Sequence, residues 1–131
     1  MTEPLYQRDA YLAAFDAQVT GVEPDGVVLD RSAFFPGGGG QPPDTGALEV
    51  EGAELAVTGA QRREGRVVLL VDGDPPPAGA KVRGRLDWDR RHTLMRTHTA
   101  LHILCGVIWA DYGIPVTGGN LEPMKGRLDF P

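Results

Sequence analysis

The stretch "RLDWDRRHTLMRTHTALHIL", residues 85–104, marks the change of pattern that divides this sequence into two parts. Before it, short β-branched runs alternate with turn signals, and within it apolar residues recur at helical spacing. The shift near Asp87 predicts a domain boundary, with a β-rich, barrel-like domain over residues 1–87 and a second domain over residues 88–131. The predicted fold class is therefore α+β.

The second part contains one long predicted helix. We predict that it runs from about Arg90 to about Tyr112, because apolar, His and Cys side chains recur there every three or four residues. Gly113, followed by a proline two residues later, is typical of a helix end. The stripe consists of Leu94, His98, Leu101, Cys105, Ile108 and Tyr112.

The first part reads as a set of short strands between residues 17 and 86. Turn signals at Pro24-Asp25-Gly26 and Arg63-Glu64-Gly65 suit connections between antiparallel neighbours. These strands predict a small β-barrel or sandwich, of which the barrel is our choice. Before them, residues 9–15 predict two helical turns with Asp9 as the N-cap.

The end of the sequence has weaker signals. Gly118-Gly119 predicts a turn, and residues 126–130, "GRLDF", predict a strand. No partner strand follows it, so the helix-plus-sheet domain over residues 88–131 looks incomplete. An uncovered apolar helix stripe tends to drive self-association, so we expect a homo-oligomer formed through this helix face.

The composition limits the possible functions. The net charge of −5 is uneven, because residues 1–60 contain two Lys or Arg against ten Asp or Glu, whereas residues 61–131 contain eleven against eight. The basic half fits either an anionic partner or ordinary solvated surface. No apolar run approaches the ~20 residues that cross a bilayer. Cys105 is the single cysteine, and no pattern typical of a secretory leader opens the chain. We therefore expect a cytoplasmic protein without a membrane partner.

Two histidines lie four residues apart on the predicted helix. Residues i and i+4 share a helix face, so the rings of His98 and His102 can converge on one metal ion such as zinc. Two ligands alone do not hold zinc. Cys105 lies seven residues after His98, a rise of ~10.5 Å that zinc bonds of ~2.0–2.3 Å cannot span. His92 lies on another side of the helix. The pair therefore predicts either part of a zinc site or a polar patch in an apolar stripe.

A glycine-rich run, "FFPGGGGQPPDTG", occupies residues 34–46. Four successive glycines let the backbone approach a ligand, and Gln41 ends the run with an amide that accepts and donates hydrogen bonds. Neither a Lys-Ser/Thr pair nor a helix follows, so this is not a phosphate-binding P-loop, nor is it a dinucleotide fingerprint. A ligand-binding loop and a flexible hairpin loop remain as alternatives.

Taken together, these motifs resemble a known family. The segments "YLAAFDAQV" (11–19), "LDRSAFFPGGGGQPPDTG" (29–46), "DWDRRHTLMRTHTALHIL" (87–104) and "GRLDF" (126–130) are similar, in order and spacing, to alanyl-tRNA editing proteins. These are freestanding relatives of the editing domain of alanyl-tRNA synthetase. The resemblance depends on a Pro-x-x-Gly-Gly-Gln loop combined with a His-x-x-x-His helix, a combination more specific than either motif alone.

The resemblance implies an activity and a cofactor. The activity is hydrolysis of tRNA(Ala) mischarged with serine or glycine. The cofactor is zinc, with His98 and His102 as the first two ligands and a Cys-x-x-x-His pair downstream of the "GRLDF" segment as the other two. No such pair occurs in these 131 residues. We therefore expect an incomplete zinc site here, in a chain that is either a fragment or a shortened form.

The resemblance also implies residue roles. Gln41 is placed near the amino-acid moiety as a catalytic candidate. Thr97 and Thr99 flank the first histidine, where one hydroxyl can lie near a seryl side chain, but on a helix they point to different sides. The implied substrate loop comprises Gly38, Gly39, Gly40 and Asp44. The residues predicted to contact the tRNA(Ala) acceptor end are Arg90, Arg91 and Arg96.

Two function classes remain open from the sequence. The first is a trans-editing aminoacyl-tRNA hydrolase, or the N-terminal portion of one. The second is a catalytically silent RNA-binding or folding module derived from the same family. No ATP-binding or adenylate-forming motif is visible, so aminoacylation itself is not expected.

Overall fold

The structure is a computed structural model that describes residues 2–131 and separates into two compact units. The barrel unit contains the chain up to Pro36 together with Pro43–Asp87. The helix unit contains Trp88–Pro131 together with the loop Gly37–Pro42. The prediction of an α+β fold is confirmed. The glycine loop lies within residues 1–87, the predicted first domain, but it groups with the helix unit.

Six antiparallel strands close the barrel unit, in the order β2-β3-β7-β6-β5-β8 with β8 returning to β2. A short strand, a helical turn and a second short strand accompany the barrel, and the two short strands pair in parallel. In chain order the elements are β1 (Glu3–Pro4), α1 (Leu5–Arg8), β2 (Ala14–Glu23), β3 (Gly26–Leu29), β4 (Arg31–Ser32), β5 (Gly46–Val50), β6 (Ala53–Arg63), β7 (Arg66–Asp72) and β8 (Lys81–Leu86).

The barrel forms because alternate residues of its strands are apolar or small. In β8 the sequence Lys-Val-Arg-Gly-Arg-Leu gives a strict alternation of exposed and buried positions. Gly84 pairs with Phe15 of β2, and a Cβ atom at Gly84 would clash with Cζ of Phe15, so the glycine makes room for the ring. The main large side chains of the core are Phe15, Val19, Val27, Leu29, Phe34, Leu48, Val57, Leu69, Val82 and Leu86.

The two predicted strand connections are confirmed. Pro24 and Asp25 form the two-residue turn between β2 and β3, where Glu23 pairs with Gly26. Glu64 and Gly65 connect β6 to β7 with φ values of 51° and 77°. Two positive φ values in a two-residue hairpin loop are characteristic of a type I′ turn.

The helix predicted over residues 9–15 is wrong. The observed helical turn is α1, and Asp9 lies at its C-terminal end, with its Oδ1 accepting a hydrogen bond from the N–H of Tyr11 at 2.9 Å. Ala14 and Phe15 instead begin β2, where they pair with β8. The physical reason is that Phe15 is buried in the barrel core, and burial of a large aromatic side chain outweighs a weak local helix preference.

The helix unit is built on α2 (Trp88–Tyr112), which begins two residues before its predicted start and ends at its predicted end. Gly113, with φ of 66°, follows the helix, and its N–H donates to the carbonyl of Trp109 at 2.8 Å. A glycine with positive φ just after the last turn is the usual helix terminator. The sequence therefore identified the one long helix and its end.

An antiparallel hairpin of β9 (Gly118–Glu122) and β10 (Lys125–Asp129) completes the unit. The predicted turn at Gly118-Gly119 is wrong, because both residues belong to β9 and pair with Asp129 and Leu128. The predicted strand at the end of the chain is confirmed in β10, and its partner strand precedes it. That residues 88–131 form an incomplete domain stays a prediction.

The C-terminal half of α2 is mostly exposed. Within the described range 2–131, neither helix is both long and apolar enough to cross a membrane. Self-association through this surface stays a prediction. Its exposed large apolar side chains are Ile103, Leu104, Val107, Trp109 and Tyr112.

Candidate functional site

The glycine loop forms a tight hairpin turn within the helix unit. Gly38 and Gln41 exchange both of their backbone hydrogen bonds, each at 3.0 Å, around the turn residues Gly39 and Gly40. These two glycines have φ values of 60° and 83°, which side-chain-bearing residues rarely adopt. The loop therefore holds one fixed backbone shape and presents the Gln41 side chain from its end.

Strand β9 holds this loop by direct backbone contact. The N–H of Leu121 donates to the carbonyl of Gly40 at 3.1 Å. A Cβ atom at Gly40 would lie only 3.0 Å from the carbonyl oxygen of Gly119, so any larger residue there would push the strand and the loop apart. Glycine at position 40 is thus required by close approach as well as by φ.

The loop brings Gln41 to the two histidines of α2. Oε1 of Gln41 lies 3.0 Å from Nδ1 of His98. On the other side of the same ring, Nε2 of His98 lies 3.1 Å from Nε2 of His102, and the two rings stack with centroids 4.8 Å apart. The structure therefore joins the two sequence motifs into one array, Gln41–His98–His102.

The surroundings of His98 favour its neutral form. Burial lowers the pKa of His98 below the ordinary imidazole value, and the neighbouring His102 ring lowers it further. A neutral imidazole keeps one ring nitrogen with a free lone pair, which is the form that binds a metal.

A cavity of about 300 Å³ opens beside the histidines, entirely within the helix unit. Cys105, the free cysteine, is half-buried in its wall. The walls are otherwise mostly apolar or backbone, which is typical of a pocket for a small ligand. The lining residues are Gly39, His98, Leu101, His102, Cys105, Val116, Thr117, Gly118, Gly119, Asn120, Leu121 and Leu128.

The two candidate threonines have different surroundings. Oγ1 of Thr97 donates to the carbonyl of Thr93 at 2.8 Å and accepts from the N–H of Met124 at 3.2 Å, so it links α2 to the turn between β9 and β10. Thr99 is exposed. A catalytic role for either stays a prediction, and the bonds of Thr97 give it a structural task in the helix unit.

Asp44 belongs to the barrel unit, although the substrate loop was predicted to include it. It is 1% exposed, its Oδ2 accepts from the N–H of Phe35 at 2.8 Å, and its own N–H donates to the carbonyl of Phe35 at 2.9 Å. This pairing ties together the two chain segments that flank the glycine loop. The observed role of Asp44 is structural, and a contact with substrate stays a prediction.

The three arginines predicted to contact RNA differ in accessibility. Arg96 is exposed, Arg90 is half-buried and Arg91 is only 3% exposed. A phosphate contact needs an accessible guanidinium, so Arg96 is the best placed of the three. Their assignment to the acceptor end stays a prediction.

Sequence reasoning missed the contribution of β9 to this site. Gly119, Asn120 and Leu121 line the cavity, and Leu121 also binds the glycine loop. The segment carries no β-branched run, and its glycines favour a turn, so no local signal marks it as a strand.

Comparison with known proteins places the chain in a family. A profile described as "tRNA synthetases class II (A)" matches residues 10–90, which is more than half of the sequence. The chain belongs to this family. The matched region covers most of the barrel and ends within the first turn of α2, before the two histidines.

Individual relatives match nearly the whole chain. The alanyl-tRNA editing protein AlaX-M of Saccharolobus solfataricus is 41% identical over 133 residues, which is 99% of this chain and 56% of the relative. AlaX-M of Methanosarcina acetivorans is 46% identical over 139 residues, again 99% of this chain but 57% of the relative. The alanine–tRNA ligase of Pyrobaculum neutrophilum is 49% identical over 132 residues, 14% of its length.

These matches confirm the resemblance that the two motifs predicted. The relatives are alanyl-tRNA editing proteins and alanine–tRNA ligases, and the similarity extends through the loop and the helix. The chain spans just over half the length of the AlaX-M relatives it matches.

Proposed function

We propose that this chain carries part of the site of an aminoacyl-tRNA editing hydrolase, which cleaves the ester of tRNA(Ala) mischarged with serine or glycine. The observation that supports this proposal best is the array Gln41–His98–His102 beside a small cavity. The relatives that are named alanyl-tRNA editing proteins support an editing role. A cavity of about 300 Å³ is at the small end of ligand pockets, which suits an aminoacyl group as small as seryl or glycyl.

The geometry of the two histidines fits zinc. Two nitrogens bound to one tetrahedral zinc at ~2.0–2.1 Å lie about 3.3 Å apart. The observed Nε2 to Nε2 distance of 3.1 Å is close to this value. His98 and His102 would therefore hold two of the four positions of a tetrahedral site with little movement of either ring.

The residues around the cavity would have different roles in the reaction. Zinc, when bound, supplies a positive charge that polarises a carbonyl or lowers the pKa of water. His98 and His102 would hold it at the cavity wall, while Leu101, Leu121 and Leu128 make that wall apolar. An apolar wall strengthens electrostatic interactions with an ester carbonyl, because it keeps the local dielectric low.

The first prediction concerns the strength of zinc binding. Within residues 2–131, no group of three or more His, Cys, Asp or Glu side chains is placed to hold a metal ion. We therefore expect the 131-residue chain to bind zinc weakly and to lose it on dialysis against a mild chelator. Metal analysis after dialysis measures this directly, and about one zinc retained per chain would contradict the prediction.

The proposed function is tested by release of serine from Ser-tRNA(Ala). We expect little hydrolysis by the 131-residue chain, and hydrolysis by the same chain continued by a family segment that carries Cys-x-x-x-His. Because the cavity must distinguish small side chains, Ser-tRNA(Ala) should be cleaved at least about tenfold faster than Ala-tRNA(Ala).

The controls separate the two function classes. Tight binding of tRNA(Ala) without hydrolysis by either protein would favour the silent RNA-binding module. Absence of both hydrolysis and tRNA binding would contradict the proposal altogether. A role in translation implies a cytoplasmic protein, so cytoplasmic localisation stays a prediction. Self-association also stays a prediction, and sedimentation would measure it.

A further inference from the structure

The side chain of Gln41 faces His98 with its oxygen. A glutamine amide has one oxygen, which only accepts, and one NH₂ group, which only donates. Because Oε1 lies 3.0 Å from Nδ1 of His98, a hydrogen bond between them requires a proton on Nδ1. A neutral imidazole carries one proton, so Nε2 of His98 is then the nitrogen with the free lone pair.

The same bond determines the state of His102. Its Nε2 lies 3.1 Å from Nε2 of His98, and two bare nitrogens at this distance would repel each other. If Nδ1 of His98 donates to Gln41, a hydrogen bond between the two rings in the metal-free chain needs the proton on Nε2 of His102. This array predicts opposite tautomers for the two histidines, with the orientation of the Gln41 amide determining the tautomer of each ring.

Backbone hydrogen bonds hold the loop from which the Gln41 side chain extends. The Gly38–Gln41 bridge fixes the main chain of Gln41, and the bond from Leu121 to Gly40 fixes the turn to β9. Metal-binding histidines usually donate their other ring N–H to an oxygen acceptor, which orients the ring and selects the tautomer. Gln41 has the geometry of such an acceptor.

We infer that Gln41 is a positioning residue that acts through His98, and that its amide oxygen holds Nδ1–H so that Nε2 points its lone pair toward His102. This inference rests on the proposed function for the purpose of the site, but the hydrogen-bond array itself does not depend on which ester is cleaved. It differs from a direct contact between Gln41 and the amino-acid moiety, which the resemblance implied.

The tautomers are measured on the unmodified chain. Long-range ¹H–¹⁵N correlation spectra distinguish the two ring nitrogens of each histidine, and comparison with the His98→Ala variant assigns the signals. At pH 8.5, above the ordinary imidazole pKa of about 6.5, we expect the metal-free chain to show His98 protonated on Nδ1 and His102 on Nε2. The reverse assignment would overturn the inference without any substitution at Gln41.

Zinc titration of variants tests the consequence. Gln41→Leu removes the acceptor and should weaken zinc binding by about 10- to 100-fold, the range for losing an outer-shell partner of a metal ligand. Gln41→Glu keeps an oxygen acceptor and should bind zinc more tightly than Gln41→Leu. Gln61→Leu makes the same change at an exposed position of β6 and should leave zinc binding unchanged.

The outcomes are distinct from those of the deacylation assay. Equal zinc affinity for Gln41→Leu and the unmodified chain, with the thermal melting curve unchanged, would overturn the inference even if the full site cleaves Ser-tRNA(Ala). Failure to cleave Ser-tRNA(Ala), with the predicted tautomers and zinc affinities observed, would instead contradict the proposed function alone.

Discussion

Replacement of His98 by alanine, in a protein that also carries the Cys-x-x-x-His pair implied by the resemblance, is expected to lower kcat/KM for Ser-tRNA(Ala) by about 1000-fold. A bound metal stabilises transition-state charge by several kcal/mol, and ~4 kcal/mol corresponds to about three powers of ten in rate. His98 is at the centre of the array, since its ring meets both Gln41 and His102. Its loss removes the contact that joins the glycine loop to the proposed zinc site.

The matched control is His92→Ala on the same helix. His92 is exposed and stacks on Trp88 with ring centroids 5.7 Å apart. Exposed substitutions away from special features usually change free energies by less than ~0.5 kcal/mol, so we expect a change of about twofold or less. Metal content should fall for His98→Ala and not for His92→Ala. Unchanged hydrolysis by His98→Ala would contradict the zinc site and favour the alternative that the histidine pair is a polar patch.

Periodicity predicted the parts of this fold in which one face is buried. Strand β8 alternates between charged and buried residues at every position, and this is the signal of a half-buried strand. The stripe predicted on α2 is likewise at least partly buried from Leu94, which is fully buried, to Ile108, which is half-buried. It is not covered at Tyr112, which is 73% exposed.

Local patterns failed where a tertiary contact decides the structure. Phe15 is compatible with a helical turn in isolation, but its ring enters the barrel core opposite Gly84. Gly118 and Gly119 suggest a turn, yet Gly119 lies in a strand because β10 passes so close that a Cβ atom there would be 2.9 Å from the carbonyl of Arg127. Neither contact can be predicted from the neighbouring residues in the sequence.

The candidate site was predictable only in parts. The spacing of His98 and His102 is local, and it predicted correctly that both rings share one face of α2. The bond from Gln41 to His98 joins residues 57 positions apart. Composition and periodicity carry no information on such a pair, and the family resemblance placed Gln41 in this region without identifying its partner.

The adjacent residues Phe34 and Phe35 provide the second large prediction, which concerns stability. Phe34 is fully buried, and its ring meets that of Phe15 edge-on with centroids 5.7 Å apart. Phe35 is half-buried and makes a similar edge-on contact with Tyr6. The sequence alone does not distinguish two successive phenylalanines, so their unequal burial is a consequence of the barrel.

Phe34→Ala is expected to lower the free energy of unfolding by about 3–5 kcal/mol, because truncating a buried aromatic ring loses transfer free energy and leaves a cavity. Phe35→Ala, which makes the same change next to it, should cost about 1–2 kcal/mol. The hydrogen bond from the N–H of Phe35 to Oδ2 of Asp44 does not involve either phenylalanine side chain and remains in both variants. Urea unfolding followed by far-ultraviolet circular dichroism measures the difference. Equal losses of unfolding free energy in the two variants would contradict the burial of Phe34 in the barrel core.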